Sequence, residues 1–193
     1  MLVDKHALRI LAAASKDPSR YALNGLHVTE TGLEATDGNI LARVSLPDFL
    51  PDDAPTSWQP MAAESLAGTI LDGKALAQVA KAIPKKERIP ILQCAAIGKN
   101  GKGGQAVTGL PDEESRLAVP FVDATYPKTQ EAYPKGKPVF QVALNARLLG
   151  VLASLGENDK RIILSFHGPE QAVEFQIDGE RPITGLVMPM RLG

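Results

Sequence analysis

A chain of 193 residues, 44% of them hydrophobic, is long enough for one large domain or two small ones with a buried core, which excludes a disordered protein. Its 21 basic and 22 acidic residues nearly cancel, so any contact with nucleic acid must come from a local patch. Aromatic residues make up 5% of the chain, too few for a surface that stacks on single strands. Duplex nucleic acid or protein partners fit this composition better.

Two apolar runs bear on the compartment. Residues 8–14 are too short to span a membrane and contain Arg9, so neither a secretory leader nor an anchor is predicted and we expect a cytoplasmic protein. The single cysteine, Cys94, lies in the apolar run 91–95, which favours a small buried side chain over a thiolate or a metal ligand. A framework of disulfide bonds is excluded.

The first of three similar segments begins with a helix, because Leu8, Leu11, Ala12 and Ser15 recur at helical spacing before Pro18. Strands are predicted after it near residues 21–29, 33–36 and 39–46. The dipeptide Asp-Gly at 37–38 indicates a hairpin between the last two strands, because both residues tolerate positive φ. The proline-bearing, acidic stretch 47–60 is predicted to be an exposed connection.

The second segment repeats this plan with a helix from Asp72, its expected N-cap, to Pro84. Its apolar positions are Leu76, Val79, Ala80 and Ile83. Strands are predicted near residues 89–97, 105–110 and 115–122. The run 98–104 superficially resembles a phosphate-binding loop, but it lacks Ser or Thr after the lysine and a following helix, so we interpret it as a flexible hairpin tip.

The third segment comprises a strand near 139–144, a helix over 145–155 with Asn145 as N-cap and Gly156 as its end, and further strands. Those strands are predicted near residues 161–166, 172–177 and 183–190. The pattern as a whole predicts an α+β fold of antiparallel strands. Its expected divisions are a complete domain over 1–122, an extended proline-bearing linker over 123–136 and a half domain over 137–193.

Residues capable of catalysis do not cluster in the sequence. His6, His27 and His167 lie in different segments, the pair 113–114 of glutamates lies in an expected turn, and the aspartates 52–53 lie in the proline-bearing stretch. Neither a nucleophile with its base nor a metal-ligand spacing is present. The sequence therefore predicts a protein that is not an enzyme, without a catalytic site, a metal or another cofactor.

Four stretches carry a family resemblance. Residues 20–25 read R-Y-A-L-N-G and residues 35–42 read A-T-D-G-N-I-L-A. Residues 121–134 contain V-D followed by two Tyr-Pro pairs, and residues 187–192 read V-M-P-M-R-L. In this order they resemble motifs of the bacterial DNA sliding clamp, the beta subunit of DNA polymerase III, across nearly the whole chain.

The resemblance implies the DNA clamp fold, in which each domain joins two modules of one helix plus antiparallel strands. Clamp helices line the inside of a ring around duplex DNA, and a clamp subunit has six modules where this chain has three. Four chains would then complete a ring of twelve modules. The third module would leave its helix face uncovered (Leu144, Leu148, Leu152 and Leu155), so we expect a homo-oligomer, a tetramer or a dimer in which two third modules pair.

Polar residues along the predicted helices are candidates for contacts with duplex phosphates. Lys74, Gln78, Lys81 and Lys85 follow a helical spacing opposite the apolar face, although for one such helix taken alone a solvated face is the better explanation. With the matching positions of the first helix, the predicted DNA-binding residues are Lys5, Arg9, Lys16, Arg20, Lys74, Gln78, Lys81 and Lys85.

The resemblance also implies a hydrophobic pocket for short linear peptides from DNA polymerases, the clamp loader and repair proteins. The matching residues are Leu23, Thr36, Gly38, Leu41, Pro127, Leu186, Met188, Pro189 and Met190. For Leu23 and Leu186, ordinary strand core is an equal alternative. Asn39 and Ile40 replace the family's usual His and Arg, and Glu131 replaces a basic residue, so we expect an altered partner preference.

The expected function is that of a sliding clamp or clamp-like processivity factor that encircles duplex DNA and tethers polymerase or repair proteins. The alternative is a peptide-binding or inhibitory module, derived from a clamp, that never closes a ring. The oligomeric state in solution separates the two.

Overall fold

Helices and antiparallel strands alternate along the chain, as the sequence predicts for an α+β protein. The computed structural model describes residues 1–46, 54–62, 65–156, 160–179 and 181–191. Contacts divide the chain into two units, Met1–Ala132 and Tyr133–Gly193.

The first unit contains two four-stranded antiparallel sheets. Its strands are β1 Leu2–Asp4, β2 Leu26–Val28, β3 Gly32–Thr36, β4 Leu41–Ser45, β5 Ile70–Leu71, β6 Cys94–Asn100, β7 Gly103–Thr108 and β8 Ser115–Val119. One sheet has the order β4-β3-β2-β5 and the other the order β1-β6-β7-β8. The predicted hairpins at residues 37–38 and 98–104 are both present, since β3 pairs with β4 and β6 with β7.

Two short strands cross between the modules. Strand β1, at the start of the first module, pairs with β6 of the second, with Val3 opposite Ala95. Strand β5, at the start of the second module, pairs with β2 of the first, with Leu26 opposite Leu71. The sequence predicts neither strand, because two or three residues carry no measurable alternation.

The described residues of the first unit include one α-helix and several 3₁₀ helices. They are η1 Ala7–Ala13, η2 Pro18–Leu23, η3 Thr56–Ala62, α1 Gly73–Ala82, η4 Pro90–Gln93 and η5 Thr129–Ala132. In α1 the Asp72 carboxylate accepts a hydrogen bond from the Ala75 amide at 2.7 Å, which confirms the predicted cap. Leu76 and Val79 are fully buried, and the helix ends before Pro84.

The first predicted helix is a 3₁₀ helix, so its predicted face is partly wrong. Residues three apart eclipse one another in a 3₁₀ helix. Leu8 is therefore buried, whereas Ala12 lies above Arg9 and is exposed with it.

Three further predictions from the sequence are corrected. Residues 21–25 and 89–93 are not strand, because 3₁₀ helices η2 and η4, each with proline in its first turn, occupy most of these positions. The stretch 47–60 is not uniformly exposed, since Trp58 is fully buried and Ala54 nearly so. Residues 47–53 of that stretch lie outside the described residues.

One core joins the two modules of the first unit. It contains side chains from η1, from α1 and from both sheets, among them Leu8, Leu33, Leu76, Val79 and Ile97. A second cluster packs around Trp58, with Leu92 and Val107 among its members. Burial in this unit therefore comes from packing one module against the other.

The second unit contains one module, with helix α2 Ala146–Leu155 and strands β9 Ile162–Ser165, β10 Val173–Ile177 and β11 Ile183–Val187. The strands form an antiparallel sheet of order β11-β10-β9. Asn145 caps α2 by accepting a hydrogen bond from the Arg147 amide at 2.9 Å, as predicted.

The core of the second unit is small. Among its described residues the buried hydrophobic side chains are Leu152, Val173, Ile177 and Val187. The predicted exposure of the α2 face is therefore corrected for Leu152, which faces this core, whereas Leu155 remains 43% exposed. The predicted strand 139–144 is not formed, since only Ala143 makes a bridge, to Met190.

Candidate nucleic-acid interface and peptide-binding residues

A groove lies between η1, η2 and α1 in the first unit. Its volume is about 560 Å³. Leu11, Tyr21 and Ala77 line its apolar part, and Lys16 and Lys74 line its polar part. Two of the predicted DNA-binding residues, one from each module, therefore share one surface.

The other predicted DNA-binding residues follow the helices only in part. Every residue of the set is exposed except Lys5, which is half-buried. Lys85 lies beyond the end of α1 at Ala82, and Lys5 and Lys16 flank η1, so the regular stripe predicted on each helix is shorter than expected. Their role in binding DNA stays a prediction.

Arg20 stabilises the turn between β3 and β4. Its Nη1 atom donates a hydrogen bond to the Asp37 carbonyl oxygen at 2.8 Å, and its Nε atom lies 3.9 Å from Asp17 Oδ2. Arg20 therefore has a structural partner in addition to any phosphate.

The turn over residues 36–40 is held by its own side chains. Thr36 Oγ1 donates to the Ile40 carbonyl at 2.6 Å and accepts from the Gly38 amide at 3.0 Å. Asp37 Oδ1 accepts from the amides of Asn39 and Ile40, and these hydrogen bonds are the main reason that the pKa of Asp37 is lowered. Gly38 has φ +96°, which disfavours any residue with a side chain. Thr36 and Gly38 thus shape the turn, and their part in binding a peptide stays a prediction.

Gly25, the last residue of the R-Y-A-L-N-G motif, allows the backbone of β5 to approach closely. A Cβ atom at this position would collide with the carbonyl oxygen of Leu71 on β5. The motif R-Y-A-L-N-G therefore ends in glycine because β5 packs directly against it.

A buried carboxylate that the sequence analysis missed lies beside this turn. Glu34, on β3, is only 2% exposed. Its Oε1 atom lies 2.8 Å from His27 Nδ1, and its Oε2 atom accepts hydrogen bonds at 2.8 Å from Arg43 Nε and Thr129 Oγ1. Burial alone would raise the pKa of Glu34, but the hydrogen bonds from His27, Thr129 and Arg43 outweigh burial and lower it.

The Glu34 network fixes the chain segment that contains the motif residue Pro127. The ring of Tyr126 stacks on His27 with 4.5 Å between centroids and 15° between planes. Burial, followed by the nearby Glu34 charge, raises the pKa of Tyr126 to about 12. Arg43 Nη1 also donates to Gln130 Oε1 at 2.8 Å. The sequence does contain a signal for this buried carboxylate. A glutamate stands between apolar strand residues, and His and Arg stand on the neighbouring strands.

The predicted peptide-binding residues are distributed over both units. In the first unit Leu23 and Leu41 are half-buried and Pro127 is exposed. In the second unit Leu186, Met188 and Met190 are 62%, 64% and 52% exposed. Neither residue is part of a strand core, because Leu186 is exposed on β11 and Leu23 is the last residue of η2. Their role in binding a peptide stays a prediction.

Within residues 1–46, 54–62, 65–156, 160–179 and 181–191, no three His, Cys, Asp or Glu residues cluster as a metal site would require. Burial, and then the charge of Asp4, raises the pKa of the half-buried Cys94 thiol. None of the described helices has the length and apolar character of a membrane span.

Comparison with known proteins gives structural matches only. No family model and no curated protein matches the chain. It is similar to a beta sliding clamp from C. crescentus (17% identity, TM-score 0.67), which it matches over 100% of its own length and 50% of the clamp's. The chain is also similar to the DNA polymerase sliding clamp from Pseudomonas aeruginosa (19% identity, TM-score 0.67), over 100% of its own length and 52% of the clamp's. A third similar structure is a sliding clamp from Bartonella birtlesii bound to griselimycin (18% identity, TM-score 0.65), which the chain matches over 100% of its own length and 51% of the clamp's.

The chain thus spans about half the length of the solved clamps that it matches. Identities of this size establish the fold, and the matches extend over the whole chain rather than over one module. The chain has the fold of the bacterial DNA sliding clamp, in a shortened form.

Proposed function

We propose that the chain acts by binding rather than by catalysis, as a cytoplasmic clamp-like processivity factor that encircles duplex DNA and tethers other proteins to it. The observation that carries this proposal is the match of the entire chain to sliding clamps. Because three modules cannot surround a duplex by themselves, the proposal requires several copies in one assembly.

The proposed DNA-facing surface is the helical side of the first unit. Lys16 and Lys74 share the groove between η1, η2 and α1, and Lys81 is exposed at the other end of α1. The net charge is −1, so attraction to phosphates depends on such local groups. Contacts of this kind are independent of base sequence and sensitive to salt.

Charge reversal tests this surface. In the double variant Lys74→Glu, Lys81→Glu, we expect weaker binding to duplex DNA. The slope of log Kd plotted against log salt concentration should also be lower by roughly two, since each lost phosphate contact lowers it by about one. The matched control, Lys102→Glu with Lys137→Glu, changes the net charge equally at exposed positions outside the groove. If the control and the test variant show the same slope, the surface is wrongly assigned.

The proposed tethering function rests on the exposed apolar side chains near the end of the second unit. Met188 and Met190 are flexible and polarizable, which suits several apolar peptides. The exposed Ile40, where the family usually has Arg, favours a partner segment with apolar rather than acidic residues.

Griselimycin offers a direct probe, because the Bartonella birtlesii relative binds it. We expect calorimetry to detect binding to the wild-type chain and at least a tenfold loss in Met188→Glu, since burying a charge on binding costs more than about 1.4 kcal/mol. Leu110→Glu, at an exposed apolar position of the first unit, is the matched control. Equal affinity in the two variants would remove Met188 from the binding site.

A peptide-binding module that never closes a ring is the second candidate. The match to about half of each solved clamp favours it. Such a module would keep griselimycin binding but show no dependence of DNA binding on Lys74 and Lys81.

A further inference from the structure

The two modules of the first unit complete each other's sheets by a common rule. The strand that precedes each module's helix pairs antiparallel with a strand of the other module, not with its own. Strand β1, before η1, lies beside β6, the first strand after α1. Strand β5, before α1, lies beside β2, the first strand after η1 and η2. Each sheet reaches four strands only through this exchange.

The module of the second unit has the same parts without the exchange. Its sheet has three strands, and β9, the first strand after α2, lies at the edge. No strand among the described residues pairs with the outer side of β9. In the segment before α2, residues 139–144, the only strand-like backbone pairing with a described residue is the Ala143–Met190 bridge. The ring of Phe140 lies 6.0 Å from that of Phe166, which follows β9, and Val139 is 98% exposed.

We propose that two copies of the chain exchange this segment, so that residues 139–144 of each copy pair antiparallel with β9 of the other. One chain holds both a strand without a sheet and a sheet edge without a strand, which is the condition for a self-complementary two-fold pairing. The positions beside β2 and β6 in the first unit are already filled by β5 and β1, so they cannot accept this strand.

The composition of the segment fits a strand. Its sequence V-F-Q-V-A-L contains β-branched and aromatic residues, which are favourable in sheets. An uncovered sheet edge presents unpaired backbone amides and carbonyls that a second strand can satisfy. The exchange would also explain why the sequence predicts a strand at residues 139–144 that a single chain does not form.

Exposed apolar side chains supply most of the surface that this pairing needs. Exposed side chains around the exchanged segment, α2 and the α2-facing side of the sheet are Val139, Phe140, Val151, Leu155, Ile162 and Ile183. At ~150–200 Å² for a fully exposed large side chain, they offer roughly 500 Å² per copy, to which the paired strands add their backbone. Specific interfaces begin at about 600 Å² per partner.

Hydrogen exchange of the full chain tests the proposal without DNA or peptide, so its outcome is separate from that of the proposed function. At high protein concentration we expect amides of residues 139–144 and of β9 to exchange at least about tenfold more slowly than at dilution, and both segments to respond together. Protection that is absent, or that is independent of concentration, would overturn the strand exchange.

A charge in the exchanged segment provides the matched variant. Val139→Glu, at a side chain that a single chain leaves exposed, should remove the protection of both segments and halve the mass measured by light scattering. Leu110→Glu in the first unit should leave both unchanged. An unchanged mass for Val139→Glu would contradict the proposal, and near-native circular dichroism of the variant excludes misfolding as the cause of a loss.

Discussion

The two units are built from similar modules but differ in how much they bury. In the first unit, α1 contributes Leu76 and Val79, both 0% exposed, to a core that both modules share. In the second unit, α2 contributes only Leu152, while Val151 and Leu155 remain exposed. The helix caps and hairpins are of the same kind in both units. Local sequence signals are therefore enough to form the helix and strands of a module, whereas a second module is needed to bury its apolar face.

Matched leucines on the two α-helices give the largest expected effect. Leu76→Ala should lower the free energy of unfolding by about 2–5 kcal/mol, because the shared core cannot collapse onto the cavity. Leu152→Ala should cost about 2 kcal/mol in dilute protein, since its partly exposed neighbours can move into the space. Urea denaturation monitored at several protein concentrations measures both.

The concentration dependence sharpens this comparison. If a second copy completes the second unit, the cost of Leu152→Ala should increase with protein concentration while that of Leu76→Ala stays constant. Equal costs at every concentration would mean that the two modules are packed alike.

Buried and exposed ion pairs provide the next comparison. Glu34→Gln should cost about 1–3 kcal/mol, because it removes the buried negative charge that lies against His27 and Arg43 beneath the segment that holds Tyr126. Asp178→Asn, which breaks the exposed pair with Arg161 in the second unit, should cost about 0–1 kcal/mol. Thermal unfolding of both variants under the same buffer measures the difference, and a larger loss for Asp178→Asn would contradict the assignment.

The pH dependence of Glu34 has a definite sign. Its pKa is lower in the folded protein than in the unfolded chain, so its stabilisation is fully present above the unfolded value of about 4.3 and is lost as pH falls through the folded value. Stability measured against pH should therefore decrease less steeply below about pH 4.5 in Glu34→Gln than in the wild type. Parallel curves would show that Glu34 does not titrate differently on folding.

Helix caps give the smallest effect. Asp72→Ala should cost about 1 kcal/mol, because the Ala75 amide loses its acceptor at a half-buried helix start. Asn145→Ala should cost about 0.5 kcal/mol, because water can replace the cap at the exposed start of α2. Far-ultraviolet circular dichroism during urea unfolding reports both, and the reverse order would argue against an exposed α2.

The sequence was informative where structure is local. The caps Asp72 and Asn145, the helix end before Pro84 and the Asp37-Gly38 turn all depend on neighbouring residues, and each was predicted correctly. Strand β1 was missed because its partner β6 lies more than 90 residues away and its three residues carry no pattern. A 3₁₀ helix at η1 was also missed, since the helical spacing of apolar residues does not distinguish it from an α-helix.

For the candidate sites, the sequence indicates which residues to consider, whereas the environment of each residue depends on the fold. The motif residues Thr36 and Gly38 were found, yet their role in shaping the turn depends on hydrogen bonds that a sequence does not display. Glu34 was missed because its burial follows from the packing of Tyr126 and Thr129 across nearly 100 residues of chain. Residues 139–144 were predicted as a strand from composition alone, and composition does not reveal which sheet receives them.

The molar mass of the full chain in solution tests the central claim most directly, namely that a second copy completes the second unit. Light scattering at micromolar concentration should give twice the monomer mass of 20.5 kDa, or four times if the assembly closes as a ring. Reciprocal exchange pairs the copies, so only even numbers are expected. A stable monomer, or a trimer, would contradict the account.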